Sequence, residues 1–159
     1  MGYTHYFDWE RTEDKPMIHN ITKKVQNDIL NVINRHKDIL DPTYTIDCGV
    51  VIINGNPAYE TLYIEAGISG FCKTNEYPYD IAVCEILLIF KHHYGELFEL
   101  SSDGFWVSRD DLSTYTLDGT WNQALDNIEE KFGYKFNLIP VIENNYYHFE
   151  IDTKEIIKK

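Results

Sequence analysis

The stretch FCKTNEYPYDIAVCEILLIFKHHYG, residues 71–95, decides the fold. Within it Ile81, Ala82, Val83, Cys84, Ile86, Leu87, Leu88, Ile89 and Phe90 are apolar on nearly every face of a helix. A surface helix keeps one polar face, so this one is expected to be central and buried. Pro78 opens it, Asp80 stands in the first turn where a carboxylate suits the dipole, and Gly95 is a natural residue past its end. A buried helix exposes polar groups mainly at its ends. Lys73 and Thr74 before it, and Lys91, His92 and His93 in its last turn, therefore mark the places where a site can form.

Outward from this helix, Tyr3 to Trp9 alternate aromatic and polar side chains, the pattern of a strand with one buried face. Pro16 can open a first helix that runs to Lys37, because Ile18, Ile21, Val25, Ile29, Val32 and Ile33 recur at helical spacing before Asp41-Pro42. Val50 to Ile53 and Tyr59 to Ile64 flank the turn NGNP and predict a hairpin, whereas Glu65 to Tyr77 reads as a loop. Leu97 to Leu100 predicts a strand that ends in the turn SSDG, Ser101 to Gly104. Thr120 and Gln123 form a capping box for a third helix, with Trp121, Leu125, Ile128 and Phe132 on one face and Gly133 closing it. Lys135 to Ile142 and Tyr146 to Ile151 predict two last strands, and the tail KEIIKK is expected to fray. The expectation is a single compact α+β domain over residues 1–159, an antiparallel sheet with about three helices.

The formal charge of −12 makes the average surface repel phosphate backbones and anionic lipid. Non-specific nucleic acid and membranes are accordingly not expected as partners. Cys48, Cys72 and Cys84 are an odd set without Cys-x-x-Cys spacing, which suits a reducing compartment and neither a disulfide framework nor a zinc knuckle. The start MGYTHYFDWE lacks the regions of a signal peptide, and Tyr6 stands where a myristoylation start has Ser or Thr. The longest apolar run, Ile86 to Phe90, is far short of a membrane span, so a cytoplasmic location is expected. With 12 Tyr in a small domain, self-association into a homo-oligomer is also expected.

The residues singled out for binding are Tyr3, His5, Lys73, Thr74, Tyr79, Lys91, His92, Ser101, Ser102 and Asp103. Lys73 and Thr74 precede a helix start, where free amides and an ammonium can hold an anion. Tyr3, Tyr6, Tyr77 and Tyr79 offer stacking faces, and Ser101 to Asp103 offer hydroxyls and a carboxylate. Each also has a plain structural explanation: Lys91, His92 and His93 complement the negative end of a helix dipole, and aromatics at strand alternation pack a core. His92 and His93 point about 100° apart and cannot easily share a metal, with His5, Cys72 and Asp103 as the other conceivable ligands. No metal, cofactor or catalytic residue is assigned. Signatures for P-loop, dinucleotide, serine-hydrolase and zinc-protease chemistry are absent, which favours a binder. The first strand, the start of the buried helix and SSDG are expected to enclose one polar pocket.

Taken together, MGYTHYF, FCKTNEYPYD, KHHYG and SSDG resemble a family of small uncharacterised phage and bacterial proteins that begin Met-Gly-Tyr-Thr-His-Tyr. The resemblance covers Met1 to Phe7 and Phe71 to Gly104, and departs at Phe7, where that family has Trp. It implies a phage or mobile-element setting in a host cytoplasm. In that setting the expected function is a non-catalytic sponge for a small anionic nucleotide immune signal, a cyclic nucleotide among the candidates. The alternatives are a small hydrolase or transferase using His92 or His93 with Asp103, and an acidic inhibitor that binds a basic protein.

Overall fold

The computed structural model describes residues 3–10, 20–107, 115–143 and 146–152, and the architecture is α+β. The strands are β1 (Thr4–Trp9), β2 (Thr45–Ile46), β3 (Val50–Ile53), β4 (Leu62–Glu65), β5 (Gly70–Lys73), β6 (Phe98–Ser102), β7 (Phe105–Val107), β8 (Tyr115–Leu117), β9 (Asn137–Glu143) and β10 (Tyr146–Asp152). The helices are α1 (Lys23–Arg35), α2 (Asp80–Tyr94) and α3 (Gly119–Phe132). Among the described residues the strands form four antiparallel sheets: β5-β1-β6, β2-β3-β4, β7-β8 and β9-β10.

Helix α2 is buried on nearly all sides, as its sequence demands, and Gly95 ends it at φ 54, where a side chain would be strained. Against it lies the inner face of β5-β1-β6. Strand alternation sends Phe7, Trp9, Cys72, Phe98 and Leu100 inward, where Trp9 meets Phe90 edge-on and Phe90 stacks on Phe98. Helix α1 adds Val25, Ile29, Val32 and Ile33, and α3 adds Trp121, Ala124 and Ile128, to the same buried cluster.

Several boundaries differ from expectation for local reasons. Helix α1 begins at Lys23, because Thr22 caps it by accepting from the Val25 amide. Ile21 is buried outside the helix, with its amide bonded to the Cys48 carbonyl. The expected start at Pro16 and Ile18 lies outside the described residues. Residues 70–73, read as loop, form β5 in register with β1, pairing Thr4 with Lys73 and Tyr6 with Phe71. Ser101 and Ser102 belong to β6, leaving only Asp103 and Gly104 for the turn. Helix α3 has no capping box at Thr120. Its cap is Asp118, whose carboxylate accepts from the Trp121 amide, while Gln123 bonds Asn127 on the helix surface.

Candidate functional site

The residues singled out in the sequence fall into three places, because strand alternation and helix length separate neighbours in the chain. The first is a polar cluster on the inner face of β5-β1-β6 at the start of α2, built around His5, which is wholly buried. Its Nδ1 lies 2.7 Å from Ser102 Oγ, and its Nε2 lies 2.6 Å from Asp80 Oδ1. Ser102 Oγ accepts from the Gly104 amide and from Trp121 Nε1, each at 3.0 Å. With both lone pairs engaged, the hydroxyl has only its hydrogen left for Nδ1, so Nε2–H is the group that donates to Asp80. Asp80 Oδ1 also accepts from the buried Thr74 hydroxyl at 2.6 Å.

Aromatic edges hold the imidazole in place, with Tyr3 and Trp121 both meeting it nearly perpendicular at about 5 Å between centroids. Tyr3 donates its hydroxyl to Asp118, and burial, then this bond, push that hydroxyl's pKa upward. Gly104 must be glycine: a Cβ there would lie 2.8 Å from Trp121 Cδ1 and closer still to the Tyr3 hydroxyl.

Ser102, His5 and Asp80 thus present the atom types of a nucleophilic triad, but the arrangement does not suit attack. Ser102 is nearly buried, and its oxygen has no lone pair free to meet a carbonyl carbon. The cysteines are equally ill placed as nucleophiles. Burial, then the charge of Glu60, raises the Cys72 thiol to about 12, and burial holds Cys84 well above its ordinary value. Tyr79 is buried, donating its hydroxyl to the Glu60 carbonyl at 2.6 Å, so it provides no stacking face.

The second place is the outer face of the same sheet. Lys73 and Ser101 lie here, each one residue away from an inward neighbour in Cys72 or Ser102, while Asp103 stands in the turn just past β6. The expected single pocket is therefore divided by the sheet itself, with His5 on one side and Lys73 on the other. Tyr6 and Phe71 are register partners on this face and are 44% and 59% exposed, an unusual exposure for two adjacent aromatic rings. Asp8 pairs with Glu99 and Tyr6 with Ser101 along the same ladder. The Asp103 carboxylate accepts from the Thr4 amide at 3.0 Å. Phe71 had no place in the sequence reading, yet its position two residues before Lys73 in a strand would have placed both on one face.

The third place is the C-terminal end of α2, where Lys91 to His93 lie about 17–20 Å along the helix from Asp80. Lys91 is buried and donates to the carbonyls of Gly95 and Phe98 at 3.1 and 2.8 Å. His92 stacks on Tyr134 at 3.6 Å, and burial, then the neighbouring His93, lowers its pKa. His93 bonds Asp28 at 2.7 Å, beside Tyr134 and Lys24. Neither histidine is brought to Asp103, so the acid-base pairing on which the alternative hydrolase or transferase reading depends is not formed.

One further buried carboxylate escaped the sequence reading. Glu85, wholly buried at the middle of α2, meets Arg35 Nη2 at 2.8 Å, His36 Nε2 at 2.6 Å and Asn127 Nδ2 at 3.1 Å. A lone acid inside an apolar helical run was the available signal, since burial of a charge requires partners. It joins all three helices.

Among the described residues no helix is long and apolar enough to cross a membrane. Comparison with protein-family models, curated proteins and solved structures returns no match to this chain.

Proposed function

We propose that the protein is a non-catalytic binder and that its binding surface is the outer face of β5-β1-β6. The exposed cross-strand pair Tyr6–Phe71, with Asp8 and Glu99 next along the same ladder, carries this reading. Aromatic rings flanked by carboxylates suit a guanidinium or ammonium, which can lie over a ring while its charge faces the acids. The net charge of −12 steers a basic partner toward such a face and repels a polyanion. The favoured partner is therefore a basic protein segment, and the protein acts on it as an acidic inhibitor.

The nucleotide sponge is the second reading, supported by Lys73 beside the same two rings, where a base would stack and a phosphate meet the ammonium. Against it, Lys91 and His92 are committed at the far end of α2. Self-association through the aromatic pair would be a third use of this face.

Titrations of the full chain with a synthetic arginine-rich peptide, and with a panel of cyclic nucleotides, separate these uses. The peptide should bind in a salt-dependent way, and Phe71→Ala should weaken it about 30-fold, the effect of an aromatic anchor worth ~2 kcal/mol. Peptide affinity that is equal in wild type and Phe71→Ala would overturn the proposal. Nucleotide binding lost about tenfold in Lys73→Ala would instead establish the sponge. Concentration-dependent sedimentation abolished by Phe71→Ala would establish the self-contact.

A further inference from the structure

Asp80 and Cys84 are four residues apart on α2 and share a helix face, which His5 meets from β1. His5 Nε2 lies 2.6 Å from Asp80 Oδ1 and 3.6 Å from Cys84 Sγ, and one ligand atom from each residue fits within a 4.8 Å span. Hydrogen bonding occupies Nε2 and Oδ1 but leaves one atom of the cluster unused. Asp80 Oδ2 is buried, in a residue only 3% exposed, with no hydrogen-bond partner among the described residues. A buried carboxylate oxygen left in this way calls for an explanation, and an ion is one of the few that fits.

We propose that His5, Asp80 and Cys84 form a buried structural site for a zinc-class divalent cation, with Nε2, Sγ and both carboxylate oxygens of Asp80 as donor atoms. Mixed imidazole, thiolate and carboxylate ligation is the chemistry of such ions, and a site closed to water is structural rather than catalytic. This sets aside the sequence expectation that the chain holds no metal, and it exchanges Cys72 for Cys84. Cys72 instead faces the Glu60 carbonyl.

The surroundings supply the outer shell that a ligating histidine needs. With a cation on Nε2 the imidazole proton resides on Nδ1 and is donated to Ser102 Oγ, 2.7 Å away. The Ser102 hydroxyl hydrogen then loses Nδ1 as its acceptor and its oxygen takes an added donor, so a bond from Gly104 or Trp121 weakens, a cost that coordination by a thiolate and an imidazole has to exceed. The Cys84 proton leaves to solvent, so uptake releases a proton and strengthens as pH rises. Thr74 and His5 at present share Asp80 Oδ1, and the cation takes over the histidine's place there.

The test titrates the full chain, stripped by chelator and kept reduced, with Co²⁺ alone and then with Zn²⁺. A thiolate-to-cobalt absorption that saturates at one equivalent, is displaced by zinc and accompanies a rise in Tm is the expected result. The band should persist in Cys48→Ala and Cys72→Ala and vanish in Cys84→Ala, a change that keeps a small apolar side chain in the core. Asp80→Asn, which keeps the shape, should lower cobalt affinity, and Ser102→Ala should lower it about tenfold. No absorption in the wild type, a band that survives Cys84→Ala, or one that disappears with the exposed Cys48 would each overturn the site. Because it lies on the inner face of the sheet, these outcomes are read independently of Phe71 and the peptide titration.

Discussion

Replacing Glu85 by glutamine removes one charge from the middle of α2 and changes little in shape. The carboxylate is wholly buried and holds Arg35, His36 and Asn127 together, so its loss strikes all three helices at once. Removing one partner of a buried pair costs ~3–5 kcal/mol, mainly because the other is left uncompensated. Arg35 and His36 keep 21% and 15% of their side chains exposed, so water can partly compensate them and the low end, about 3 kcal/mol, applies. For a chain of this size that lowers Tm by roughly 6–12 °C.

The pH dependence has a definite sign. Burial pushes the Glu85 carboxyl up, but bonds from His36 and Asn127 and the nearby charges of His36 and Arg35 more than reverse this, leaving it below its ordinary 4.5. A carboxyl with a depressed folded-state pKa stabilises the fold fully above its unfolded value, and the benefit is lost as pH falls through the folded one. The gap between wild type and Glu85→Gln should therefore be full near neutrality and narrow below 4.5. Urea unfolding followed by tryptophan fluorescence, at neutral pH and in acid, measures both. A difference under ~1 kcal/mol at neutrality, or one that does not narrow in acid, refutes the reasoning.

Other substitutions probe separate links. Gly55→Ala places a Cβ 2.5 Å from Tyr79 Cδ1 and 2.7 Å from the Pro57 carbonyl. It should cost ~1–3 kcal/mol by overpacking, and an unchanged denaturation midpoint would contradict that. Asp118→Ala should destabilise by at least ~1 kcal/mol through loss of the α3 cap, while Thr120→Ala stays within ~0.5, the reverse of what a capping box demands. His92 has its pKa lowered by burial and by His93, so the folded state resists protonating it and stability falls as pH drops below its ordinary 6.5. His92→Gln should remove part of that loss, and parallel stability curves for wild type and variant would show that His92 contributes none of it.

The sequence by itself determined the central helix and the class of fold. An apolar run bounded by Pro78 and Gly95 has few alternatives to burial, and the aromatic alternation of Tyr3 to Trp9 needs a strand with one face in a core. Strand β5 was not legible, since Gly70–Lys73 has only four residues and its pairing with β1 is a long-range choice that no local pattern carries. The cap of α3 was misplaced because Asp118 and Thr120 are both good cap residues in sequence, and the structure uses Asp118.

Site residues were legible as types and not as neighbours. Lys73 and Ser101 look continuous in the chain with Cys72 and Ser102, but a strand turns adjacent side chains to opposite faces. Only the tertiary structure joins His5 to Asp80, Cys84, Ser102 and Trp121, whose positions in the chain are 75 to 116 residues away, and sets Tyr6 against Phe71 in the open. Local periodicity records which residues seek burial; which polar groups then meet depends on strand register and helix packing, and those are settled by the whole core at once.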